Sequence, residues 1–275
     1  MKQLPILIAL ILISLSSTAQ EYIKIDEVTH VFIYSYTFCE EHKNPLSAKK
    51  HEMILEVGQN HSKFYSSNKA FTDSLLMRYA NESPEIAFSK IFPLVSGSPV
   101  PTFCNFYVYK NYPMANKITF IASDLSSGKY QVEEDIKFDW VIDINATDTI
   151  SGLICHKAQT SFYGRNYTAW FSLDIPINDG PYKFNGLPGL IVQIADTDNE
   201  HIFTLKGLAS SNSKPMYYVK NRYTNTTSKG YVNALEASKA DLIKELEKGT
   251  FSDENMKIRA IKRVQNRNNF IEKHN

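Results

Sequence analysis

Only three of the 275 residues are cysteine, Cys39, Cys104 and Cys155, and their spacing makes no CxxC redox or zinc motif. A chain of this length buries about 70 to 75% of its unfolded surface, so it needs neither metal nor disulfide to fold. Charge of one sign is also lacking. The 30 basic and 29 acidic residues nearly cancel, and nucleic-acid grooves and basic membrane patches both need a surplus of Lys and Arg to neutralise phosphate. No nucleic-acid partner is expected. There is no HExxH, no GxSxG and no Walker loop. SxxK occurs at Ser47/Lys50, Ser66/Lys69, Ser126/Lys129 and Ser211/Lys214, too often to select anything, and no KTG follows. Beyond residue 19 no apolar run has spanning length, so the chain reads as not membrane-spanning. Nothing in the composition calls for a cofactor.

The first nineteen residues read as an export signal. Met1, Lys2 and Gln3 give a positive start, Leu4 to Leu15 is apolar apart from Pro5 and Ser14, and Ser17, Thr18 and Ala19 supply small residues ahead of cleavage before Gln20. A membrane anchor would need a longer run with a positive far flank, and with no Cys after the run a lipidated start is not expected. The expected protein is periplasmic or outer-membrane-associated, a single domain over 20–275 that is strand-rich over 22–225 and helical over 228–267. An oxidising compartment favours pairing two of the cysteines, with one left over; buried inert thiols are the other reading, and the sequence names no pair.

Aromatics are what the chain has in quantity: 16 Tyr, 16 Phe and 2 Trp. Phe32, Tyr34, Tyr36 and Phe38 alternate, which puts a row of rings on one face of a strand. Residues 51–57 and 61–65 flank Gly58-Gln59-Asn60 as a hairpin, and 103–110 pairs with 117–122. Phe71, Leu75 and Tyr79 recur every four residues as a short helix, followed by a loop through Pro84, Pro93, Pro99 and Pro101. Further strands follow Phe138, Trp140, Ile142 and Ile144, over 153–162, 167–175, 190–195 and 201–208. Helices are expected over 228–248, ended by Gly249, and around Met256, Ala260, Ile261 and Val264. The polar stretch 263–275 is expected to fray. Strands first and helices last make the fold class α+β.

The segment Gly186-Leu187-Pro188-Gly189-Leu190-Ile191 matches the name-giving signature of the GLPGLI (Porph_ging) family of Bacteroidetes envelope proteins. Upstream, residues 151–158, Gly164-Arg165, Ala169-Trp170-Phe171, Ile175-Pro176-Ile177 and Gly180-Pro181 resemble the family's blocks in order, and 53–58 with 62–66 resembles its N-terminal block. The family's C-terminal block places Pro after a pair of Asn, where this chain has Phe270. The resemblance implies an exported cell-envelope protein without an assigned activity. By analogy with lipoprotein-carrier and sensor half-barrels, it also implies a curved antiparallel sheet closed at one end by helices.

Two Gly-Pro points within ten residues make the loop stiff, because Pro fixes φ and Gly admits conformations closed to other residues. Gly180, Pro181, Gly186, Leu187, Pro188 and Gly189 then serve either as a turn seating Leu187 and Leu190 in the core or as the lip of a ligand or partner groove. Arg165 either braces the loop through Asp174 or Asp179 or clamps an anion through its planar fork. Trp170 is packing or a stacking platform. Tyr34 and Tyr36, with Phe138 and Trp140, either line an apolar trough for a lipid or an envelope protein partner or belong to a filled core under Val232, Leu235, Leu242 and Leu246. A non-enzymatic binding role is the leading expectation; the alternative is a hydrolase built on Arg165, Asp179 and a histidine near the loop. For a metal, only His42 beside Glu40 and Glu41 forms a nucleus, and a solvated turn explains it as well.

Overall fold

The alternating aromatic row lies on β2 (His30–Cys39), and Phe32, Tyr34, Tyr36 and Phe38 all point into the core. β2 is central in a computed structural model that describes residues 21–95, 104–135, 137–209, 214–249, 251 and 253–274. The export signal over 1–19, Pro99 and Pro101 lie outside the described residues. β2 pairs antiparallel with β3 (Ala48–Val57) and, across the chain, with β12 (His201–Ala209). Beyond β3 follow β4 (Ser62–Ser66), β5 (Phe106–Lys110), β6 (Ile118–Ser123), β7 (Lys129–Glu134) and the short parallel β14 (Thr224–Thr226). Beyond β12 come β11 (Leu190–Asp196), β10 (Arg165–Ser172), β9 (Leu153–Phe162) and β8 (Val141–Ile150). These twelve strands form one open sheet whose outermost members, β14 and β8, are not paired to each other.

A second sheet of two strands, β1 (Glu21–Glu27) and β13 (Pro215–Lys220), packs Tyr22, Tyr218 and Val219 onto Tyr65, Tyr107, Tyr109 and Ile121. These four positions, three of them tyrosine, face away from the β2 row, because successive strand residues alternate faces. Lys63 is buried in this tyrosine layer, its Nζ 4.5 Å from the Tyr65 ring and 4.8 Å from that of Tyr107, and burial pulls its pKa down.

Four helices occur among the described residues. α1 (Ser67–Arg78) starts where the Ser66 hydroxyl accepts the Lys69 N–H, close to the expected start. α2 (Pro84–Val95) replaces the first part of the expected Pro-rich loop. Pro84 opens the first turn, where its missing N–H has no partner to lose. Pro93 stands in the last turn, and Ala87 and Ile91 pack with Leu75 of α1, which offsets the lost bond. α3 (Ser228–Lys248) is capped by Thr227 and stopped at Gly249, as expected, and α4 (Glu254–Gln265) carries Val264 inward. The α+β class holds. All three cysteines are buried and free, as the inert-thiol reading has it. No helix among the described residues is long and apolar enough to cross a membrane.

Candidate functional site

Gly164, at φ +72°, turns β9 into β10 and sets Arg165 as the first residue of β10. Its side chain is 3% exposed. Nη1 donates to Asp196 Oδ2 at 2.6 Å and to Glu200 Oε2 at 3.0 Å, and Nη2 donates to Asn269 Oδ1 and, at 2.9 Å, to Phe270 O. Asp196 Oδ1 takes the N–H groups of Glu200 and His201 at 2.7 and 2.9 Å. Glu200 also accepts from the Lys43 N–H and bonds His42 Nδ1 at 2.8 Å. Arg165 therefore braces, but not through Asp174 or Asp179 as expected. The antiparallel register puts the start of β10 beside the end of β11, with Tyr167 opposite Asp196, whereas Asp174 and Asp179 follow the other end of β10. The carboxylates of Asp196, Asp198 and Glu200 lie close enough to hold an ion, and the Arg165 guanidinium already neutralises two of them. His42, the metal nucleus of the sequence reading, bonds Glu200 rather than Glu40 or Glu41.

The polar tail does not fray. Residues 266–274 form a strap across the inner face: Asn268 N donates to Glu40 O at 3.1 Å, Asn269 Nδ2 to Cys39 O at 2.9 Å and Lys273 N to Tyr163 O at 2.9 Å. Ile271 packs on the main core. Near the end of the strap stands Glu272, whose carboxylate accepts from Tyr182 Oη at 2.6 Å and from Ser228 Oγ and pairs with Lys183 Nζ at 2.6 Å. Lys183, fully buried, also reaches Glu134 at 2.7 Å. His274 Nε2 lies 2.6 Å from Ser228 Oγ. Sequence reasoning missed this hub, because composition gives no sign of which polar residues are buried; Phe270-Ile271 inside a polar tail is the one signal that could have found it.

The GLPG loop is held from beneath. Lys110 Nζ binds Asp179, Gly180 O at 2.8 Å and Phe184 O at 2.9 Å, and burial lowers its pKa against the pull of Asp179. Gly180, Pro181, Leu187 and Gly189 are buried, while Gly186 and Pro188 are exposed. Leu187 and Leu190 are in the core, as the turn reading requires. Trp170 is half-buried against the same core, on the face opposite Ala169 and Phe171.

The two strand tyrosines part company. Tyr34 is closed in, its hydroxyl donating to Ile191 O at 2.7 Å. Tyr36 stacks on Phe203 at 4.1 Å, bonds His201 Nδ1 at 2.8 Å, and lines a pocket. The rest of that pocket is Phe106, Phe120, Tyr182, Tyr231, Phe270, Leu125, Val232, Leu235 and Ile271, with Ser228, Glu272, Lys239 and Arg267 as its polar groups. Its enclosed volume is about 70 Å³. The open trough of the sequence reading is thus mostly filled, but not completely: a small apolar pocket remains under α3 and the strap, lined by Val232 and Leu235 and not by Leu242, Leu246, Phe138 or Trp140. Ser228 and Glu272 are buried; Lys239 stands eleven residues further along α3 from Ser228, about 16 Å at 1.5 Å per residue, and is mostly buried, as is Arg267 beside it.

The strap makes stability pH-dependent. Burial alone would raise Glu272, but Lys183, His274 and Ser228 outweigh it and hold the carboxyl at about 2, against 4.5 for a free glutamate. Glu200 is likewise held at about 2, burial being outweighed by the Lys43 N–H, Arg165 and His42. Stability from both is complete above pH 4.5 and lost as pH falls toward 2. His201 is pushed well below 6.5, by burial first and Arg165 second, so it resists protonation and starts the loss below pH 6.5. The melting temperature is expected to be level above neutrality, to decline from pH 6.5 and to fall fastest below 4.5; a constant value from pH 7 to 3 would contradict this.

The sequence profile of the family described as "Protein of unknown function (Porph_ging)" matches residues 156–193, from β9 through the GLPG loop into β11. No curated protein matches the chain. Solved structures similar to it include PNGF-II in its P21 form, with TM-score 0.47, 13% identity and coverage of 78% of this chain and 34% of that one. The C2 form gives TM-score 0.47 and 12% identity over 77% of this chain and 34% of that one. The chain spans about a third of the length of the structures it matches.

Proposed function

We propose that this is an exported cell-envelope protein that holds the apolar end of a lipid-like ligand in the pocket under α3 and the strap. The observation that carries the reading is the lining: six aromatic and four aliphatic side chains converge there, with the few polar groups kept to its two ends. An apolar cavity of roughly 150 Å³ admits benzene. At about half that size, the pocket takes the tip of an alkyl chain as it stands and a longer stretch when the strap shifts. Each methylene buried contributes about 0.8 kcal/mol. The reading includes a sheet bowed into a half-barrel, supported by rings three strands apart that meet, Phe64 of β4 and Phe203 of β12 at 5.9 Å.

The hydrolase alternative has one observation to rest on, the contact of Ser228 Oγ with His274 Nε2. Glu272 contacts the same Ser228 oxygen and is already paired with Lys183, so Ser228 donates to a carboxylate rather than to a free base. Arg165 and Asp179, its other expected members, sit in separate networks. Native mass spectrometry of the protein recovered from its own envelope tests the proposal. The expected result is a chain beginning at Gln20 that carries one small apolar ligand, and loss of that ligand from a folded Val232→Trp variant. Bare chain in the wild type, or ligand equally retained in the variant, would sink it.

A further inference from the structure

The two ends of the pocket differ in charge. At the buried end Glu272 has its partners in place: Tyr182, Lys183 and Ser228. At the open end stand two cations, Lys239 on α3 and Arg267 at the start of the strap, with side-chain exposures of 12% and 24%. Lys239 Nζ donates to Arg267 O at 3.1 Å and lies 3.4 Å from Glu236; Arg267 Nε lies 3.5 Å from Glu40. Neither Glu236 nor Glu40 lines the pocket. The contacts of Lys239 Nζ to the two Glu236 oxygens are long, 3.5 and 3.4 Å, so a closer anionic acceptor in the pocket can replace them. A ligand whose alkyl end fills the aromatic interior brings its head to these cations, while a head turned inward would meet Glu272.

We infer that the pocket's ligand is an alkyl chain ending in an anionic head, with the head held at the mouth by Lys239 and Arg267. The inference rests on the pocket reading and adds the ligand's polarity and direction of entry. Hydrogen bonds to charged groups are stronger than neutral ones, and the gain is discounted here because both side chains keep some water. About a tenfold preference over a neutral head of equal chain length is the expectation.

The test is displacement of a neutral fluorescent reporter, N-phenyl-1-naphthylamine, from the full chain by decanoate, decyl phosphate, decanol and decylamine. Decanoate or decyl phosphate should displace it at about tenfold lower concentration than decanol, and decylamine should be the weakest; which anion leads tells a carboxylate source from a phosphate source. The advantage should shrink toward parity in Lys239→Met and in Arg267→Met. The second variant keeps the test if the first misfolds. Equal displacement by decanol, or stronger displacement by decylamine, overturns the head-group inference while leaving the pocket standing. A reporter that fails to bind folded protein overturns the pocket reading and this inference with it.

Discussion

Arg165→Met is expected to lower the unfolding free energy by about 3 to 5 kcal/mol, the range for removing one partner of a buried ion pair. The cost arises less from the lost attraction than from what stays behind. Asp196 and Glu200 are both buried, and Arg165 is the cation that pairs with them at 2.6 and 3.0 Å. The same change removes one partner each from Asn269 and the Phe270 carbonyl, so the strap loosens and the pocket loses part of its cover. Urea unfolding by circular dichroism measures the loss. Adding Glu200→Gln to Arg165→Met should recover part of it, because one uncompensated charge is then gone. A loss under about 1 kcal/mol would mean that water reaches the cluster and that the bracing role is wrong.

Gly189→Ala is expected to cost about 2 to 4 kcal/mol, at the upper end of overpacking effects. A Cβ at this position would overlap Ser172 O and lie 2.7 Å from Ser172 C. Those atoms belong to the end of β10 and cannot rotate away as a side chain would. Gly186 is a different case. Its φ of +96° is closed to most residues, but a Cβ there would meet only the Trp140 indole, at 3.4 Å, so alanine should cost about 1 to 2 kcal/mol through backbone strain. Thermal melts of the two variants give the order directly. A smaller effect at Gly189 than at Gly186 would show that β10 can shift.

Much of this was legible in the sequence where periodicity carries the information. The rings of β2, the β3–β4 hairpin around Gly58, β9 and the bounds of α3 all follow from spacing and punctuation, because burial of one face imposes a period of two or 3.6. The strand β13 that covers the tyrosine layer was not legible, since it is only six residues long and its alternation, with Met216 and Tyr218 inward, breaks at the buried Val219. α2 was hidden by its prolines, one of which sits where a helix tolerates it. At the site, the stiff GLPG turn was readable because Gly and Pro act locally. The partners of Arg165 were not, because a guanidinium chooses among carboxylates by strand register rather than by sequence distance. Tyr36 and Tyr34 look alike in sequence, and only the placement of α3 and the strap makes one a pocket wall and the other filled core.

The bond from Asn269 to Cys39 joins residues 230 apart in the chain, and the β2–β12 pairing likewise joins the first large strand to one made far later. At a synthesis rate of about 5 to 20 residues per second, the first of these contacts has to wait roughly 12 to 46 s after its earlier half leaves the ribosome. The β2 row of rings spends that interval without the strap to cover it, and the larger part of it without β12 beside it. A chain whose closing contacts come last stays threadable while it is being made, the condition under which a polypeptide can pass through a membrane channel before it folds.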